Sequence, residues 1–223
     1  MSLGHGASTV LNGLILHLDA ANVKSYPGTG AAWNELSGNG NNATLVNIPT
    51  YNTINSGIFS FNGTDEYAFG SLPVFAVGSS ATIDAFVQLN NVTNLSAILS
   101  HGQSGSSFSL GMVVNSANLR FRNTTGDHPL SSPTTLSVGQ WYHLALSTTS
   151  TQTTGYCNGV SQGTTNQVIT TNAITDYHIS RRSSNNGSEF VNGNIAAIRV
   201  YNRALSAQEI QQNFEALRGR YGI

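Results

Sequence analysis

The C-terminal segment, residues 190–223, constrains the fold of this chain more than any other part of its sequence. Over residues 194–201 the side chains alternate with a period of two, which is typical of a β-strand. The alternation predicts one face with Ile195, Ala197, Arg199 and Tyr201 and an opposite face with Ala196, Ile198 and Val200. A strand followed at once by one short helix predicts a sheet closed by a single helix.

The helix is indicated by its ends as well as by its pattern. Ser206 and Glu209 have the spacing of a capping box. Leu205 and Ile210 flank that box in the positions of a hydrophobic staple, and Gly219 stands where a C-terminal cap is expected. We therefore predict a helix against one edge of the sheet, with one buried apolar stripe: Ile210, Phe214 and Leu217.

Short strand patterns recur along the rest of the chain. They cover residues 58–61, 66–69, 82–89, 96–100, 107–114, 118–122, 141–147, 155–158, 174–180 and 194–201. Asn158-Gly159 predicts a type I′ hairpin. Many short strands separated by regular turns indicate a sandwich or barrel. Because the composition nowhere changes sharply, we predict a flexible arm over residues 1–12 and a single domain over residues 13–223.

Several segments, in order along the chain, resemble the landmarks of one family. GNIAAIRVYNRALSAQEI (193–210) is similar to the closing signature of laminin G-like, or concanavalin A-like lectin/glucanase, jelly rolls. The other similar segments are WNELSGNGNNATLVNIPTY (33–51), FSFNGTDEYA (59–68), ATIDAFVQL (81–89), WYHLALS (141–147) and YCNGV (156–160). The resemblance implies an all-β fold, a two-sheet antiparallel jelly-roll sandwich with one short C-terminal α-helix.

The composition excludes several functional classes. Only 9% of the residues are charged, against about 25% in an average soluble protein, and the net charge is −1. The largest basic cluster in the sequence is the pair Arg181-Arg182, so binding of nucleic acid is not expected.

The N-terminus lacks a charged region followed by a long apolar run, which predicts no signal peptide and no membrane insertion. Cys157 has no cysteine to pair with and is expected to be a small buried thiol.

The resemblance also bears on catalysis. Glucanases of this fold carry catalytic carboxylates on one inner strand, in the pattern Glu-x-Asp-x-x-Glu. The matching strand here, residues 82–88, keeps Asp84 alone. A retaining glycosidase needs an acid and a nucleophile about 5 Å apart. We therefore predict that the protein has no catalytic residues and is not an enzyme.

An acidic hairpin in the sequence has two interpretations, one of which is a calcium site. Asp65 and Glu66, beside Asn62, resemble a hairpin that some relatives use near a calcium ion. Calcium takes six to eight oxygen ligands, and further ones are available in the SGNGNN turn: Asn39, Asn41 and Asn42. The other interpretation, which we favour, is that these side chains brace their own turns.

Further candidate side chains have structural interpretations. The histidines lack the spacing of a metal or nucleophile motif and are predicted to be structural: His5, His17, His101, His128, His143 and His178. Arg199 and Arg203 are expected to tie the helix and its turn to the sheet. Trp141 is predicted to lie in the core. The Asn-x-Ser/Thr sequons are expected to be unmodified: Asn42, Asn62, Asn91, Asn94, Asn123 and Asn186.

Sugar binding would require aromatic platforms in loops. The eligible residues are Tyr26, Trp33, Tyr51 and His128. We favour the interpretation that they are ordinary half-buried side chains, and the ligand-binding residues stay unassigned at this point.

These features favour a binding or structural role. LHLDAANVKSYPGTG (16–30) and QQNFEALRGRYGI (211–223) resemble jelly-roll proteins of tailed phages, cyanophages especially. We therefore predict a non-catalytic virion surface protein, made in the host cytoplasm as a head decoration or a tail or fibre module. Its expected partners are other virion proteins, with adhesion to host-surface polysaccharide as an additional role. The alternative function is a cellular carbohydrate-binding, lectin-like module, and a third is a glycoside hydrolase. No cofactor is expected other than the calcium considered above.

Overall fold

Two antiparallel sheets pack face to face in the part of the chain that the computed structural model describes, residues 7–102, 109–170, 174–182 and 189–223. The strands are β1 (Leu14–Asp19), β2 (Ala32–Trp33), β3 (Ala43–Val46), β4 (Thr50–Asn52), β5 (Ile58–Asn62), β6 (Tyr67–Ser71), β7 (Ala81–Leu89), β8 (Ser96–His101), β9 (Leu110–Asn115), β10 (Asn118–Asn123), β11 (Gly126–Pro129), β12 (Trp141–Thr148), β13 (Thr153–Cys157), β14 (Val160–Thr165), β15 (Asp176–Ile179) and β16 (Asn192–Tyr201). A 3-10 turn (Ile54–Ser56) and helix α1 (Ala207–Tyr221) complete the described elements.

The first sheet, sheet A, has the strand order β14-β13-β12-β7-β16-β5-β4, and β1 pairs with the remaining part of β16. The second, sheet B, has the order β11-β10-β9-β8-β15-β6-β3-β2. Neighbours in both orders are antiparallel. The predicted all-β sandwich with one C-terminal helix is therefore confirmed.

The main core fills the space between the two sheets. Strand β7 shows the pattern, since its alternate residues Ile83, Ala85 and Val87 point into this core. Large side chains from other strands fill the same layer: Trp33, Phe59, Phe121 and Tyr177. Each such apolar side chain contributes roughly 1.5–3 kcal/mol by leaving water.

Helix α1 lies across the outer face of sheet A, and not against one edge as predicted. Phe86 of β7 points outward, away from the inter-sheet core, and packs with Phe214 and Leu217 of the helix. Ile210 is buried in a neighbouring cluster that also contains Leu205. The three predicted stripe residues are thus buried, but the apolar surface that they cover is the centre of a sheet face.

The ends of α1 agree in part with the prediction. The Glu209 backbone N donates to Ser206 Oγ at 3.3 Å and the Ser206 backbone N donates to Glu209 Oε2 at 2.9 Å, which confirms the capping box. The helix continues past Gly219, however, and is capped by Gly222 at φ 70°. The extra turn places the Tyr221 ring 4.5 Å from that of Trp141, and this packing accounts for the later end.

A β-bulge in β16 corrects the predicted faces of that strand. Ile195 lies opposite Val87, whereas Ala197 lies opposite Phe86, so one extra residue is inserted between them. Ile195 therefore shares the inter-sheet core with Ile198 instead of facing the helix.

Residues 8–12 also differ from the flexible arm that was predicted for residues 1–12, because this segment makes specific contacts with α1 and β16. The Val10 backbone N donates to Asn213 Oδ1 at 2.9 Å, and its carbonyl accepts from the Tyr201 hydroxyl at 3.0 Å. Gln212 of the helix donates to the carbonyl of Ser8 at 2.7 Å.

Candidate functional site

The outer face of sheet B carries a row of side chains that strand pairing aligns across seven strands. In spatial order the row is Thr44, Phe69, His178, Ser100, Gly111, Arg122 and Asp127. On the first six of these strands at least one chain neighbour of the row residue lies in the inter-sheet core, so the row residues face away from it. From Phe69 to Arg122 the row crosses four strand spacings, which is about 19 Å.

One end of this row is aromatic. The Phe69 side chain is 40% exposed, and its ring stacks beside that of His178 with centroids 6.1 Å apart and planes 24° apart. Tyr67 lies 6.2 Å from Phe69 on the same face. The Arg181 guanidinium covers the Tyr67 ring at 4.2 Å and lies 6.0 Å from the Phe190 ring. An exposed ring is therefore held in place by neighbouring rings and a cation.

Two residues beside this aromatic group, Ser180 next to Arg181 and Glu189 next to Phe190, have an unusual backbone conformation. Both residues have φ 68°, a left-handed conformation that is uncommon for side chains other than glycine. The Ala97 backbone N donates to the Glu189 carbonyl at 2.8 Å, and the Ser100 hydroxyl donates to the Arg181 carbonyl at 3.1 Å. These contacts fix the backbone of Arg181 and of Glu189 beside β8, in the middle of the row.

The other end of the row is ionic. Arg122 lies between two carboxylates, with Nη1 2.8 Å from Glu189 Oε2 and Nε 3.1 Å from Asp127 Oδ1. Glu189 also accepts from Arg182 Nη1 at 3.0 Å. Next to them, Arg120 Nε is buried and has no hydrogen-bond partner among the described residues.

We call this surface the arginine–aromatic face, defined by Tyr67, Phe69, Arg120, Arg122, Asp127, His178, Arg181, Arg182, Glu189 and Phe190. Burial and the charge of Arg181 lower the pKa of His178 to about 4, so its imidazole is neutral near pH 7. Exposed rings can pack against the apolar faces of a ligand, and fixed guanidinium groups can donate to its oxygen atoms. This combination of rigid aromatic surface and oriented donors is suited to binding.

Asp84, the carboxylate on the strand that matches the glucanase pattern, lies on the opposite side of the molecule. It is fully buried beneath α1, with Oδ1 2.7 Å from Arg199 Nη2 and Oδ2 2.8 Å from Asn213 Nδ2. His143 Nε2 lies 3.3 Å from Oδ2. Both carboxylate oxygens are therefore engaged, and no substrate can reach them in this structure.

The surroundings of Asp84 hold its carboxylate in the charged form. Burial acts to raise the pKa of Asp84, but the Arg199 guanidinium and His143 outweigh it and lower the pKa to about 2. Asn213 also donates to the Tyr201 hydroxyl at 2.9 Å. We call this group the Asp84 cluster, defined by Asp84, His143, Arg199, Tyr201 and Asn213.

The acidic hairpin considered for calcium satisfies its own polar groups. Asp65 Oδ1 accepts from Asn62 Nδ2 at 2.8 Å, and Asp65 Oδ2 accepts from Asn47 Nδ2 at 3.0 Å. Glu66 Oε2 accepts from the Asn62 backbone N at 2.8 Å. These are the turn-bracing contacts of the favoured interpretation.

The SGNGNN turn lies at the other end of β3 from this hairpin. Asn39 and Asn41 donate to the carbonyls of Leu14 and Ile15, at 3.2 and 2.7 Å. The structure therefore does not bring the two groups of possible calcium ligands together. Within the described ranges, no cluster of three or more His, Cys, Asp or Glu side chains is arranged to hold a metal ion.

Three of the side chains considered as sugar platforms pack around the core residue Phe59. Trp33 is fully buried, with its ring 4.8 Å from that of Phe59, and Tyr26 packs on Phe59 at 4.7 Å. Tyr51 is half-buried against the same ring at 5.7 Å. His128 Nε2 lies 3.0 Å from the side-chain oxygen of Asn123. Trp141 is buried beneath the helix, as predicted.

The other candidate side chains are also accounted for by packing. Burial lowers the pKa of both His17 and His101 to about 4. The Cys157 thiol is buried, which raises its pKa to about 11, so it carries no nucleophilic thiolate at neutral pH. Two predicted positions, His5 and Asn186, lie outside the described residues, as do the first two residues of the strand predicted over 107–114.

The arginine–aromatic face was not identified from the sequence. Alternation in β10 does place Arg120 and Arg122 on one side of that strand. Phe69 and His178 come from strands far away in sequence, however, and only the pairing of five strands brings these residues into one row.

The fold and the site together define a jelly-roll β-sandwich with an arginine- and aromatic-lined outer face on sheet B. A family model described as the concanavalin A-like lectin/glucanases superfamily matches residues 61–211, and the chain belongs to this superfamily. A search of curated proteins found no match to this chain. Among the described residues there is no helix with the length and apolar character that crossing a bilayer requires.

Solved structures share the fold at low sequence identity. The receptor-binding domain of botulinum neurotoxin C/D mosaic serotype superposes with a TM-score of 0.71 at 12% identity, over 92% of this chain and 52% of that one. Trypanosoma rangeli sialidase in complex with the inhibitor DANA gives 0.68 at 18% identity, over 95% of this chain and 34% of that one. The binding domain of Paraclostridial Mosquitocidal Protein 1 gives 0.69 at 15% identity, over 91% of this chain and 52% of that one. This chain thus spans about a third of the sialidase and about half of the toxin binding domains.

Proposed function

We propose that the protein binds carbohydrate through the arginine–aromatic face and does not hydrolyse it. The observation that carries this proposal is the exposed Phe69 ring, stacked on His178 beside guanidinium groups that ion pairs hold in place. A sugar ring has an apolar face of C–H groups and a rim of hydroxyls. An exposed aromatic ring matches the apolar face and fixed polar side chains match the rim.

The superfamily of the chain and the printed names of its structural neighbours are compatible with this proposal. Two of those neighbours are binding domains and one is a sialidase. Because their identity to this chain is below 20%, they support the fold, and the proposal rests on the residues of the face itself.

Replacement of Phe69 by alanine is expected to weaken glycan binding about tenfold, the loss expected when a stacking contact of about 1.5 kcal/mol is removed. Binding would be measured on an array of bacterial, algal and animal glycans, followed by titration of the strongest ligand. Val160→Ala is the matched control, because Val160 is an exposed apolar residue on sheet A. Equal weakening by both variants, or no ligand on the array for the wild-type protein, would refute the proposed site.

The absence of hydrolysis is tested with the same ligands together with laminarin and agar, by assay of new reducing ends. Asp84 is the one acidic residue in β7, and it is enclosed by the Asp84 cluster. Release of reducing ends by the wild-type protein, abolished in Asp84→Asn, would show that the protein is a hydrolase.

We further propose that this binding protein is located on the surface of a tailed-phage virion, as a head decoration or as a tail or fibre module. The resemblance of residues 16–30 and 211–223 to phage jelly-roll proteins supports this location. So does the net charge of −1, because many copies packed together would repel one another little. The adhesive face would then serve attachment to host-surface polysaccharide.

Mass spectrometry of purified virions tests the location. A virion protein would be recovered at many copies per particle at 23.5 kDa. Absence from virions, combined with recovery from a bacterial cell wall or culture medium, would instead support the alternative, a cellular carbohydrate-binding module.

A further inference from the structure

We infer that Asp176 determines which sugars this face accepts, because it takes hydrogen bonds from free hydroxyl groups of the sugar that stacks on Phe69. This inference rests on the proposed function, since it names the residue and the chemical feature by which the same face selects its ligand. A sugar whose hydroxyls are blocked is expected to bind more weakly.

The first argument is which part of the outer face of sheet B a ligand can reach. Ser100 and Val113 lie on this face in β8 and β9, but both are fully buried. The Ser100 hydroxyl donates to the Arg181 carbonyl at 3.1 Å, so the backbone of Arg181 covers β8 there. On β3 and β6, in contrast, Thr44 and Phe69 are exposed. The accessible part of the face is therefore centred on the Phe69 ring.

The second argument is the position of Asp176 beside that ring. Asp176 lies opposite Ser71, and His178, two residues further along β15, lies opposite Phe69. Asp176 and Phe69 are therefore diagonal neighbours on adjacent strands, about 7–8 Å apart. Their chain neighbours Tyr177 and Ala68 lie in the inter-sheet core, so both side chains are on the outer face. Since this spacing is comparable to the width of one sugar ring, a sugar stacked on Phe69 places its edge beside the carboxylate.

The third argument is that the carboxylate of Asp176 is available to a ligand. The residue is exposed, and among the described residues no group donates a hydrogen bond to its side chain. Asp127 and Glu189, on the same side of the sheet, are instead paired with Arg122. An ionised carboxylate only accepts hydrogen bonds, and its two oxygens can accept from two neighbouring hydroxyls.

The backbone that carries Asp176 is held on both sides. The Gly102 backbone N donates to the Asp176 carbonyl at 3.0 Å, and the Leu72 backbone N donates to the Thr175 carbonyl at 2.8 Å. A site whose groups are fixed in advance loses less freedom when a ligand binds. A site built to bind a hydroxyl also discriminates strongly against an analogue that lacks it.

Affinity electrophoresis of the full chain tests the inference with two matched pairs of probes. Each pair consists of a native polysaccharide, dextran or galactomannan, and its O-methylated form, in which methyl groups replace the hydroxyl hydrogens. The methylated sugar keeps its ring and can still stack on Phe69, but it has no hydroxyl to donate to a carboxylate. We expect at least tenfold weaker retardation by the methylated member of at least one pair.

Asp176→Ala is expected to reduce retardation by the native polysaccharide about tenfold, the loss typical of one hydrogen bond to a charged group. It should leave retardation by the O-methylated form unchanged, whereas a merely structural effect would reduce both. Glu215→Ala removes a carboxylate from the exposed side of α1 and is the matched control, with no effect expected on either probe. Equal effects of the two variants, or equal loss with both forms of the polysaccharide, would overturn the inference.

The remaining outcomes separate the inference from the proposed function. Retardation that is lost in Phe69→Ala but kept in Asp176→Ala would overturn the role of Asp176 while supporting glycan binding at this face. Equal retardation by the native and methylated members, or none by any probe, would also overturn the inference, whereas the proposed function is decided by the glycan array.

Discussion

Asp84→Ala is expected to lower the free energy of unfolding by about 3–5 kcal/mol, because it leaves the buried Arg199 guanidinium without its counter-ion. The same change removes the acceptor for Asn213 of the helix. Urea denaturation measures the loss. Glu215→Ala breaks an exposed pair with Arg218 and should cost about 0–1 kcal/mol. A loss below 1 kcal/mol for Asp84→Ala would contradict the assigned role of the cluster.

The stabilisation by Asp84 has a defined dependence on pH. The pKa of Asp84 is lowered in the folded protein from its ordinary value of 3.8 to about 2, so the unfolded chain takes up the proton first as the pH falls. This contribution is present above about pH 4 and is lost between about pH 4 and 2. The difference in unfolding free energy between the wild-type protein and Asp84→Ala should shrink over the same interval.

Trp33→Ala is expected to lower the free energy of unfolding by about 3–5 kcal/mol, because it opens a cavity in the inter-sheet core. Trp33 is fully buried, and its ring packs edge-on against Phe59 at 4.8 Å. Thermal and urea unfolding measure this loss. Phe69→Ala is the comparison, since its partly exposed ring should cost about 1 kcal/mol or less while it reduces glycan binding.

The pair of variants distinguishes the two places where an aromatic platform was considered. If Trp33→Ala kept its stability and lost glycan binding, Trp33 would be a ligand contact and the core assignment would be wrong.

The features that local sequence predicts correctly are those whose causes are local. The capping box of Ser206 and Glu209 needs only residues three apart, and the structure forms both of its hydrogen bonds. Asn158 and Gly159 both have positive φ, as the predicted type I′ hairpin requires. The overall sandwich also followed, because a series of landmarks resembles one family in the correct order.

The features that were missed depend on partners distant in sequence. Periodicity gave no sign of the bulge near Ile195, since only alignment with β7 shows the extra residue. Gly219 is of the residue type favoured at a helix C-cap, but the packing of Tyr221 on Trp141 extends the helix past it. The short strands β2, β3 and β4 have too few residues to show an alternation. The arginine–aromatic face likewise requires the register of sheet B.

The contacts of residues 8–12 with α1 have a consequence for how the molecule can be displayed. They hold the N-terminal segment beside the C-terminal helix, so both ends of the described chain lie on the sheet A side of the sandwich. The arginine–aromatic face lies on the sheet B side. A surface or fusion partner joined after Ile223 would therefore orient the protein with its proposed binding face pointing outward, as on an immobilised sensor.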